Sequence, residues 1–171
     1  MGLVRLERAG SGWKPAAPKP AYDAVRVIVR GEAGASDINR NCTLDRATKG
    51  HPLAEGQIAY LYCLLLARSA DGQGQRDWAA KRELGTSMAT LLGEMAGSEE
   101  FRTRYRTAFL SDARFVDLAY RLLLGRDPDG PGKDGYVAAL REGRLTRPEL
   151  IAEIASSDEF KQRHRQLFQQ S

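Results

Sequence analysis

Two stretches of this chain are close copies of each other: residues 62–78 read YCLLLARSADGQGQRDW, and residues 120–136 read YRLLLGRDPDGPGKDGY. In both, a tyrosine, three leucines, an arginine, an aspartate and two glycines stand at the same positions. The matching continues beyond one extra residue near Leu145, as far as Arg104 in the first copy and Arg163 in the second. An internal repeat therefore decides how the rest of the chain is interpreted.

Apolar residues in and before the first copy follow a helical spacing. Ile58, Leu61, Leu65 and Leu66 recur every three or four residues. This pattern predicts an amphipathic helix that ends at the turn formed by residues 68–74. The second copy opens with the same spacing, which predicts the same first helix there.

The repeat also predicts later helices in each copy. The second helix is expected to begin near Asp77 or Lys133 and to end at Gly85 or Gly143, because glycine readily takes the positive φ that a helix C-terminus requires. The third helix and a last short helix begin at residue types whose side chains cap a helix N-terminus. These caps are Ser87, Thr146, Ser98 and Ser157.

The predicted fold class is mainly α: two tandem, related helical bundles preceded by an N-terminal extended arm with a short β-strand. The predicted division is residues 1–55 for the flexible arm, 56–108 for the first helical repeat and 109–171 for the second. A chain of 171 residues is long enough to bury a core without disulfides or metals. Whether the two copies pack on each other is open at this point.

The N-terminal third has a different composition. Residues 1–21 are rich in glycine and proline, which is typical of a flexible lead-in. Val25, Val27 and Val29 then recur at every second position, a pattern that predicts a strand. Three interpretations stay open: the strand adds to another protein's sheet edge, which makes these valines candidate partner-binding residues, it packs as an extended arm, or the segment belongs to a helix.

Charge and cysteine content narrow the function classes. The net charge of +4 divides into +3 over residues 1–55, 0 over 56–105 and +1 over 106–171. The repeats therefore lack the concentrated positive charge typical of nucleic-acid binding. The two cysteines show no metal-ligand spacing, and so sparse a content predicts reduced thiols rather than a disulfide.

The N-terminus carries Arg5, Glu7 and Arg8 where a secretory signal needs an apolar stretch. No run of the sequence approaches the roughly 18 apolar residues of a transmembrane helix. We therefore expect a soluble, cytoplasmic protein without membrane insertion. Export by a non-classical route is left open.

Repeated polar and aromatic residues around the turn are the candidates for a structural or ligand-binding role. Arginine beside aspartate makes charge-assisted hydrogen bonds that anchor a turn, while phosphate or sugar binding is the alternative. The aspartates are typical helix caps, and the aromatic residues are typical of a core, with sugar stacking as the alternative. The candidates are Arg68, Asp71, Trp78, Arg126, Asp129 and Tyr136.

The second turn also resembles a calcium loop. Residues 127–134 read DPDGPGKD, so Asp127, Asp129 and Asp134 are candidate metal ligands. No glutamate closes the loop, and the first copy lacks two of the three aspartates. We therefore expect these carboxylates to hold the turn, and we expect neither a metal nor a cofactor.

No set of residues typical of catalysis is present, so we expect a protein that is not an enzyme. His51 and His164 are the only histidines, and no nucleophile motif or phosphate-binding loop accompanies them. Cations interleave with aromatic residues near Tyr105 and His164, a pattern that single-strand nucleic-acid binders use. Glutamates stand close by, so solvated helix ends are the preferred interpretation and nucleic acid is not an expected partner.

The combined pattern resembles an uncharacterised bacterial family, a domain of unknown function. The residues that carry the resemblance are Leu-Leu-Gly-Arg at 123–126, Gly132, Leu140, Gly143 and Ser-Asp-Glu-Phe at 157–160. Members of that family occur as tandem units, often appended to surface-layer proteins, RTX-type proteins and glycosyltransferases, and the motif is similar to the repeat of phycobilisome linker polypeptides. The first copy departs from it with Ala67 and Ser69.

This resemblance implies assembly rather than catalysis. We therefore expect a non-catalytic helical scaffold or linker module that mediates protein–protein interaction, with a protein partner whose identity the sequence does not reveal. The alternative is a carbohydrate-associated module linked to surface polysaccharide or glycan assembly. Arginines and aromatics that are mutually satisfied favour the scaffold, whereas an open groove that groups them favours the glycan.

Overall fold

The computed structural model describes the backbone of Leu6–Ala9 and Gly12–Pro15, then Cys42 and residues 53–168. Eight α-helices lie within these residues. They are α1 (Leu53–Leu66), α2 (Gly72–Glu83), α3 (Met88–Ala96), α4 (Glu99–Arg104), α5 (Asp112–Leu124), α6 (Gly130–Arg141), α7 (Arg147–Ser156) and α8 (Asp158–Arg163). Short 3-10 helices at Thr107–Phe109 and Arg165–Leu167 follow α4 and α8.

The mainly α fold is confirmed, and the two copies match helix by helix. We call α1–α4 with the following 3-10 turn repeat 1, and α5–α8 with its 3-10 turn repeat 2. One boundary prediction was wrong, because α2 and α6 begin at Gly72 and Gly130, several residues before Asp77 and Lys133. Each of these helices begins directly after a capping aspartate, so the glycines of the motif lie in the first turn of the helix.

The predicted helix ends are confirmed. Gly85 has a φ of 95° and Gly143 a φ of 68°, in the left-handed region that side chains disfavour. The side chains of all four predicted Ser and Thr caps accept hydrogen bonds from backbone N–H groups in the first turns of α3, α4, α7 and α8. Sequence spacing therefore defines most of the connections between helices.

Apolar side chains of both repeats form one core. Each fully buried aliphatic or aromatic side chain stabilises the fold by about 1.5–3 kcal/mol relative to exposure. Fully buried members from the two repeats include Ile58, Leu61, Leu64, Leu65, Leu91, Leu92, Phe101, Phe115, Leu118, Leu122, Ile151 and Phe160. The two copies are therefore packed on each other and do not form separate bundles.

Equivalent helices make the largest contact between the repeats. α3 packs on α7 more extensively than any other pair of described helices. A Cβ atom added to Gly93 would lie 3.0 Å from the Pro148 carbonyl oxygen and 3.1 Å from the Ala152 Cβ. Gly93 and Ala152 occupy the same position in their repeats, so the helices cross closely where both copies carry a small residue.

A second contact joins the end of repeat 2 to the first helix of repeat 1. The Tyr60 hydroxyl and the His164 Nδ1 lie 2.7 Å apart, with the two rings in an edge-on arrangement. The Gln57 side-chain amide donates a 2.7 Å hydrogen bond to the Leu167 carbonyl. These buried polar contacts fix the register of the two repeats, since each would cost free energy if left unpaired.

The N-terminal region contains two short strands. Leu6–Ala9 (β1) and Gly12–Pro15 (β2) pair as an antiparallel hairpin, with Leu6 opposite Pro15 and Ala9 opposite Gly12, where a flexible lead-in was predicted. The predicted strand with Val25, Val27 and Val29 lies outside the described residues.

The prediction of reduced thiols was wrong. Cys42 and Cys63 form a disulfide that connects the N-terminal third to α1. Their Cα atoms are 5.6 Å apart, which is within the usual range for a disulfide. The sequence shows no sign of this proximity, because a polar segment of unpredicted path separates the two cysteines.

None of the described helices is long and apolar enough to cross a membrane.

Candidate functional site

A group of four side chains surrounds the turn after α1, and we call it the Arg68 cluster: Arg68, Asp71, Glu100 and Tyr62. Arg68 donates hydrogen bonds from Nε and Nη2 to the Glu100 carboxylate, at 2.5 and 2.6 Å. Its Nη2 also donates to Asp71 at 3.3 Å and its Nη1 to the Ser69 carbonyl at 2.8 Å. The guanidinium carbon lies 4.8 Å from the centre of the Tyr62 ring. The arginine thus ties α4 to the turn.

Repeat 2 builds the same arrangement, the Arg126 cluster, from Arg126, Asp129, Glu159 and Tyr120. Arg126 donates from Nε and Nη2 to the Glu159 carboxylate, both at 2.6 Å, and from Nη1 to the Asp127 carbonyl at 3.0 Å. Its guanidinium carbon lies 5.2 Å from the centre of the Tyr120 ring. Paired, charge-assisted contacts of this kind use the planar fork of arginine and are not available to lysine.

The glycine three residues after each capping aspartate packs closely against a tyrosine hydroxyl. Asp71 and Asp129 accept hydrogen bonds from the N–H groups of Gly74 and Gly132, at 2.8 and 3.1 Å. A Cβ atom on Gly74 would lie 2.5 Å from the Tyr62 hydroxyl oxygen, far inside van der Waals contact. The repeated turn motif is therefore a folding device: the aspartate starts a helix and the glycine admits the tyrosine.

Electrostatics agree with this role. The hydrogen bond from Arg68 lowers the pKa of Glu100, and the hydrogen bond from Arg126 lowers the pKa of Glu159. The backbone N–H of Gly74, and then Arg68, lower the pKa of Asp71. All these groups are charged near neutral pH and satisfy one another. The two arginines are therefore not grouped in an open groove.

The third candidate of repeat 1, Trp78, is half-buried on α2 and covered by Lys81. The Lys81 ammonium lies 4.6 Å from the centre of the Trp78 ring and forms an ion pair with Glu94 of α3. A cation over an indole face is attracted by the ring quadrupole. Lys81 thus bridges α2 and α3 beside the tryptophan, with about half of its side chain exposed.

The equivalent place in repeat 2 is open. Ala139 stands where repeat 1 has Lys81, Tyr136 replaces Trp78, and Glu153 corresponds to Glu94. Here the structure has a cleft of about 570 Å³. It is lined by residues from α5, α6, α7 and the α6–α7 connection, among them Tyr120, Gly132, Tyr136, Ala139, Leu145 and Glu153.

One wall of this cleft comes from the extra residue of the second copy. Leu145 and Arg144 line the cleft, and the connection they belong to is one residue longer than its counterpart in repeat 1. Arg144 is itself paired with Glu142 at 2.6 Å. Burial, followed by the negative charge of Glu153, raises the pKa of Tyr136 to about 12. The tyrosine is therefore neutral, and its side chain interacts with Glu153 through a hydrogen bond. Glu153 has no ion pair among the residues that the structure describes.

Family models identify the repeat. The family described as Domain of unknown function (DUF4214) matches residues 47–105 and again residues 92–164. The chain belongs to the DUF4214 family. No curated protein matches the chain, and no solved structure matches it. The resemblance predicted from the repeated motifs is confirmed, together with the presence of two copies.

Two of the three candidate metal ligands of the DUF4214 chain are engaged in local contacts. Asp127 accepts a 2.5 Å hydrogen bond from Arg121, and Asp129 caps α6. Asp134 is exposed on α6. Over residues 53–168 and Cys42, no group of three or more histidine, cysteine, aspartate or glutamate side chains is arranged to hold a metal ion.

The aromatic residues of the basic segments lie inside the DUF4214 fold. Tyr105 is buried and its hydroxyl donates a 2.8 Å hydrogen bond to the Leu65 carbonyl. His164, at the same place in repeat 2, has its Nε2 2.7 Å from the Leu123 carbonyl. Neither ring is free to stack on a base, as the nucleic-acid alternative requires. These two aromatic residues of the basic segments therefore belong to the packed interior.

Several important residues were missed by the sequence analysis. Glu100 and Glu159 were treated only as neighbours of a helix cap, although they are the main partners of the arginines. A signal was present, because an arginine and a glutamate recur together in both copies. Lys81 was also missed, and its replacement by Ala139 is visible once the copies are aligned.

Proposed function

We propose that this DUF4214 protein is a non-catalytic module that binds a partner protein through a surface centred on Phe109. The observation that carries the proposal is the exposure of this side chain, of which 81% is accessible although it is large and apolar. Aromatic residues and arginine are enriched in the centres of protein interfaces. Phe109 lies at the junction of the two repeats, directly after α4.

The neighbouring backbone supports this assignment. Arg106 has a φ of 49°, in the left-handed region that is unfavourable for a residue with a side chain. Its guanidinium carbon lies 5.3 Å from the centre of the Phe109 ring. Backbone conformations of this kind cost of order 1–3 kcal/mol and cluster at functional sites. The pair presents an aromatic ring and a cation side by side to solvent.

Repeat 2 provides an internal contrast. Phe168 occupies the same position as Phe109, but it packs edge-on against Phe160 at 6.3 Å and is only 41% exposed. The same sequence position is thus partly covered at the end of repeat 2 and almost fully exposed at the junction. An exposed ring on a rigid, jointly packed pair of repeats supports recognition without rearrangement.

Quantitative affinity capture from the native cells tests the proposal, with the intact chain compared with Phe109→Ala. Leu84→Ala is the matched control, because Leu84 is equally exposed at 88% but lies away from the junction in sequence. We expect one defined protein to be lost with Phe109→Ala and kept with Leu84→Ala. Equal recovery of every captured protein by the two variants would contradict the assignment of the surface.

The carbohydrate alternative retains one supporting observation, the cleft that includes the half-buried Tyr136 ring. The arginines that it would also use are bound to glutamates. A glycan array with the intact chain and Tyr136→Ala tests it. Glycan binding that depends on Tyr136, without a protein partner that depends on Phe109, would favour the carbohydrate function.

Two statements stay predictions: the role of the N-terminal third and the cytoplasmic location of the protein. A truncation that keeps α1 whole starts at residue 53 and also removes Cys42, so its control is the full chain with Cys42→Ser and Cys63→Ser. Loss of a partner from the truncation alone would place recognition on the arm that contains Val25, Val27 and Val29. Disulfides persist mainly in oxidising compartments, so thiol trapping in intact cells tests the cytoplasmic prediction.

A further inference from the structure

We infer that the cleft of repeat 2 binds a primary ammonium group, presented by a lysine side chain of a partner polypeptide. The inference does not depend on the surface proposed around Phe109, because a separate observation carries it. That observation is the comparison of the two repeats at one position, where the chain supplies its own lysine in repeat 1 and omits it in repeat 2.

Repeat 1 shows how this fold holds an ammonium group. Lys81 projects from α2 between two partners, the face of Trp78 at 4.6 Å and the carboxylate of Glu94 on α3. The ring provides a cation–π contact, and the carboxylate provides the counter-charge. The four-carbon chain of the lysine crosses the space between the helices. This is a complete ammonium site whose ligand belongs to the protein.

Repeat 2 retains both partners and lacks the ligand. Tyr136 takes the position of Trp78 on α6, and Glu153 takes the position of Glu94 on α7. The described chain offers no lysine or arginine within ion-pairing distance of Glu153. Ala139 is too short to reach the carboxylate, so the space that Lys81 occupies in repeat 1 stays open as part of the cleft.

The charges around the cleft favour a cation. Arg144 is the cationic residue in the cleft wall, and its ion pair with Glu142 neutralises it. Counting Arg144, Glu142 and Glu153 together leaves one negative charge. A neutral Tyr136 adds a π face without a competing charge. An incoming lysine would therefore meet an aromatic ring and a carboxylate, as Lys81 does, although here the ring is that of Tyr136, whose side chain also interacts with Glu153.

Lysine fits this cleft better than an amino sugar does. Leu145, the inserted residue, adds an apolar wall to the cleft, and the stem of a lysine side chain is apolar up to its charged end. A sugar ring would place hydroxyl groups against this wall without partners. The amino sugar is therefore the competing outcome of the test.

The test is a titration of the isotope-labelled full chain followed by NMR. The probe is Nα-acetyl-lysine N-methylamide, and its Nε-acetylated form and glucosamine are the comparison compounds. We expect saturable shifts of the backbone amides of Tyr136, Ala139 and Glu153 with the amine, with a Kd on the order of 10 mM for so small a ligand. The acetylated form and glucosamine should leave these amides unshifted, and added salt should weaken binding of the amine.

Two variants complete the design. Ala139→Lys copies repeat 1 and should abolish the shifts, and Glu153→Gln should weaken binding about threefold or more by removing the counter-charge. Lys81→Ala is the reciprocal variant, since it opens the cleft of repeat 1 and should add shifts around Trp78 and Glu94. The spectra also report whether each variant is folded.

Each outcome decides the inference. Binding of the amine that is lost with Ala139→Lys, or gained at repeat 1 with Lys81→Ala, supports it, and the second result stands even if the first variant does not fold. Stronger binding of glucosamine than of the lysine derivative would overturn it in favour of an amino sugar. The absence of shifts in the wild type at 100 mM amine would overturn it altogether.

Discussion

The two repeats share a framework and differ in what they attach to it. In both, an arginine is paired with a glutamate of the last helix, an aspartate caps the second helix, and a glycine admits a tyrosine hydroxyl. The differences are spread over many aligned positions. Among the positions that differ, those considered below are Cys63 and Arg121, Ala67 and Gly125, Lys81 and Ala139, and Tyr105 and His164. Phe109 and Phe168 are the same residue in different surroundings.

This contrast separates the residues that both repeats use to fold from the residues that give each repeat its own features. The shared framework appears in both copies with nearly the same distances, so it explains why the motif is repeated without any need for a ligand. The differing positions carry the disulfide, the open cleft and a buried histidine, and different surroundings expose an aromatic ring. Function in this chain is therefore expected where the copies disagree.

Removal of the disulfide at Cys63, which repeat 2 lacks, should cause the greatest loss of stability. Replacing Cys42 and Cys63 together by alanine should lower the free energy of unfolding by about 3 kcal/mol, because the disulfide closes a loop with a sequence separation of 21 and restricts the unfolded chain. Urea unfolding followed by circular dichroism measures the change, and a reducing agent should produce the same loss in the wild type.

Repeat 2 supplies the control for this prediction. Arg121, the counterpart of Cys63, makes an ion pair with Asp127 at 2.5 Å. Arg121→Ala should cost about 1–2 kcal/mol, less than loss of the disulfide, because the Asp127 side of the ion pair is open to solvent whereas the arginine side chain is largely buried. A wild-type unfolding midpoint that does not respond to reductant would show that the disulfide does not constrain the chain.

The close crossing of α3 and α7 should be nearly as sensitive. Gly93→Leu forces a large side chain against Pro148 and Ala152, where a Cβ atom alone would be 3.0–3.1 Å from its neighbours. We expect a loss of about 2 kcal/mol in the free energy of unfolding, since overpacking costs about 1–3 kcal/mol and leucine regains part of this through helix propensity. Thermal and urea unfolding measure it.

A glycine without neighbours provides the matched control. Nothing lies within 4 Å of a Cβ atom added to Gly130, at the start of α6. Gly130→Leu should therefore change stability by no more than about 0.5 kcal/mol. If both leucine variants are equally stable, the repeats do not cross at Gly93 as described.

The sequence predicted the local features of the fold well. Caps at Ser87, Thr146, Ser98 and Ser157 follow from side-chain chemistry within three residues, so a short window contains all the necessary information. The same reasoning applies to the positive φ of the glycines that end α2 and α6. Each of these patterns occurs in both copies, and the repeated motifs indicated the DUF4214 family.

The features that were missed depend on distance along the chain. Arg68 and Glu100 are 32 residues apart, and nothing in either local pattern shows that α4 returns to the turn after α1. The disulfide required the path of residues 43–52, for which the sequence offered no regular pattern. The cleft required knowing that α2 faces α3, because only then does the loss of Lys81 leave a carboxylate without its partner.

His164, which replaces the tyrosine of repeat 1, should make the stability of the fold depend on pH. Burial lowers the pKa of His164 below its usual value of 6.5, and the charge of Arg163 lowers it further, against the opposing effect of the Leu123 carbonyl. The unfolded chain therefore takes up a proton as the pH falls through 6.5 while the folded chain does not, so stability should fall with pH from this point until the folded pKa is reached. Unfolding measured from pH 8 to 5 tests this.

His164→Gln isolates the contribution of the histidine. It should cost about 1–2 kcal/mol at pH 8 through imperfect replacement of two buried hydrogen bonds, and it should flatten the dependence on pH between 7 and 5. The lowered pKa values of Glu100 and Glu159 act on stability only below their usual value of 4.5, outside this window. An identical slope in wild type and variant would assign the dependence to another group.

The smallest effect is expected at the residue that ends the first helix of each repeat. Gly125 has a φ of 62° and Ala67 a φ of 48°, so the two copies adopt the same left-handed turn with different residues. Gly125→Ala should lower the free energy of unfolding by about 1 kcal/mol, because a Cβ atom is unfavourable there and would also displace the Arg163 side chain. Ala67→Gly should raise it by about 0.5 kcal/mol, since the relief of strain exceeds the added entropy of the unfolded chain only slightly. Opposite signs for the reciprocal variants in urea unfolding would show that backbone conformation decides this position, whereas losses in both would mean that the methyl group of Ala67 contributes packing that outweighs its strain.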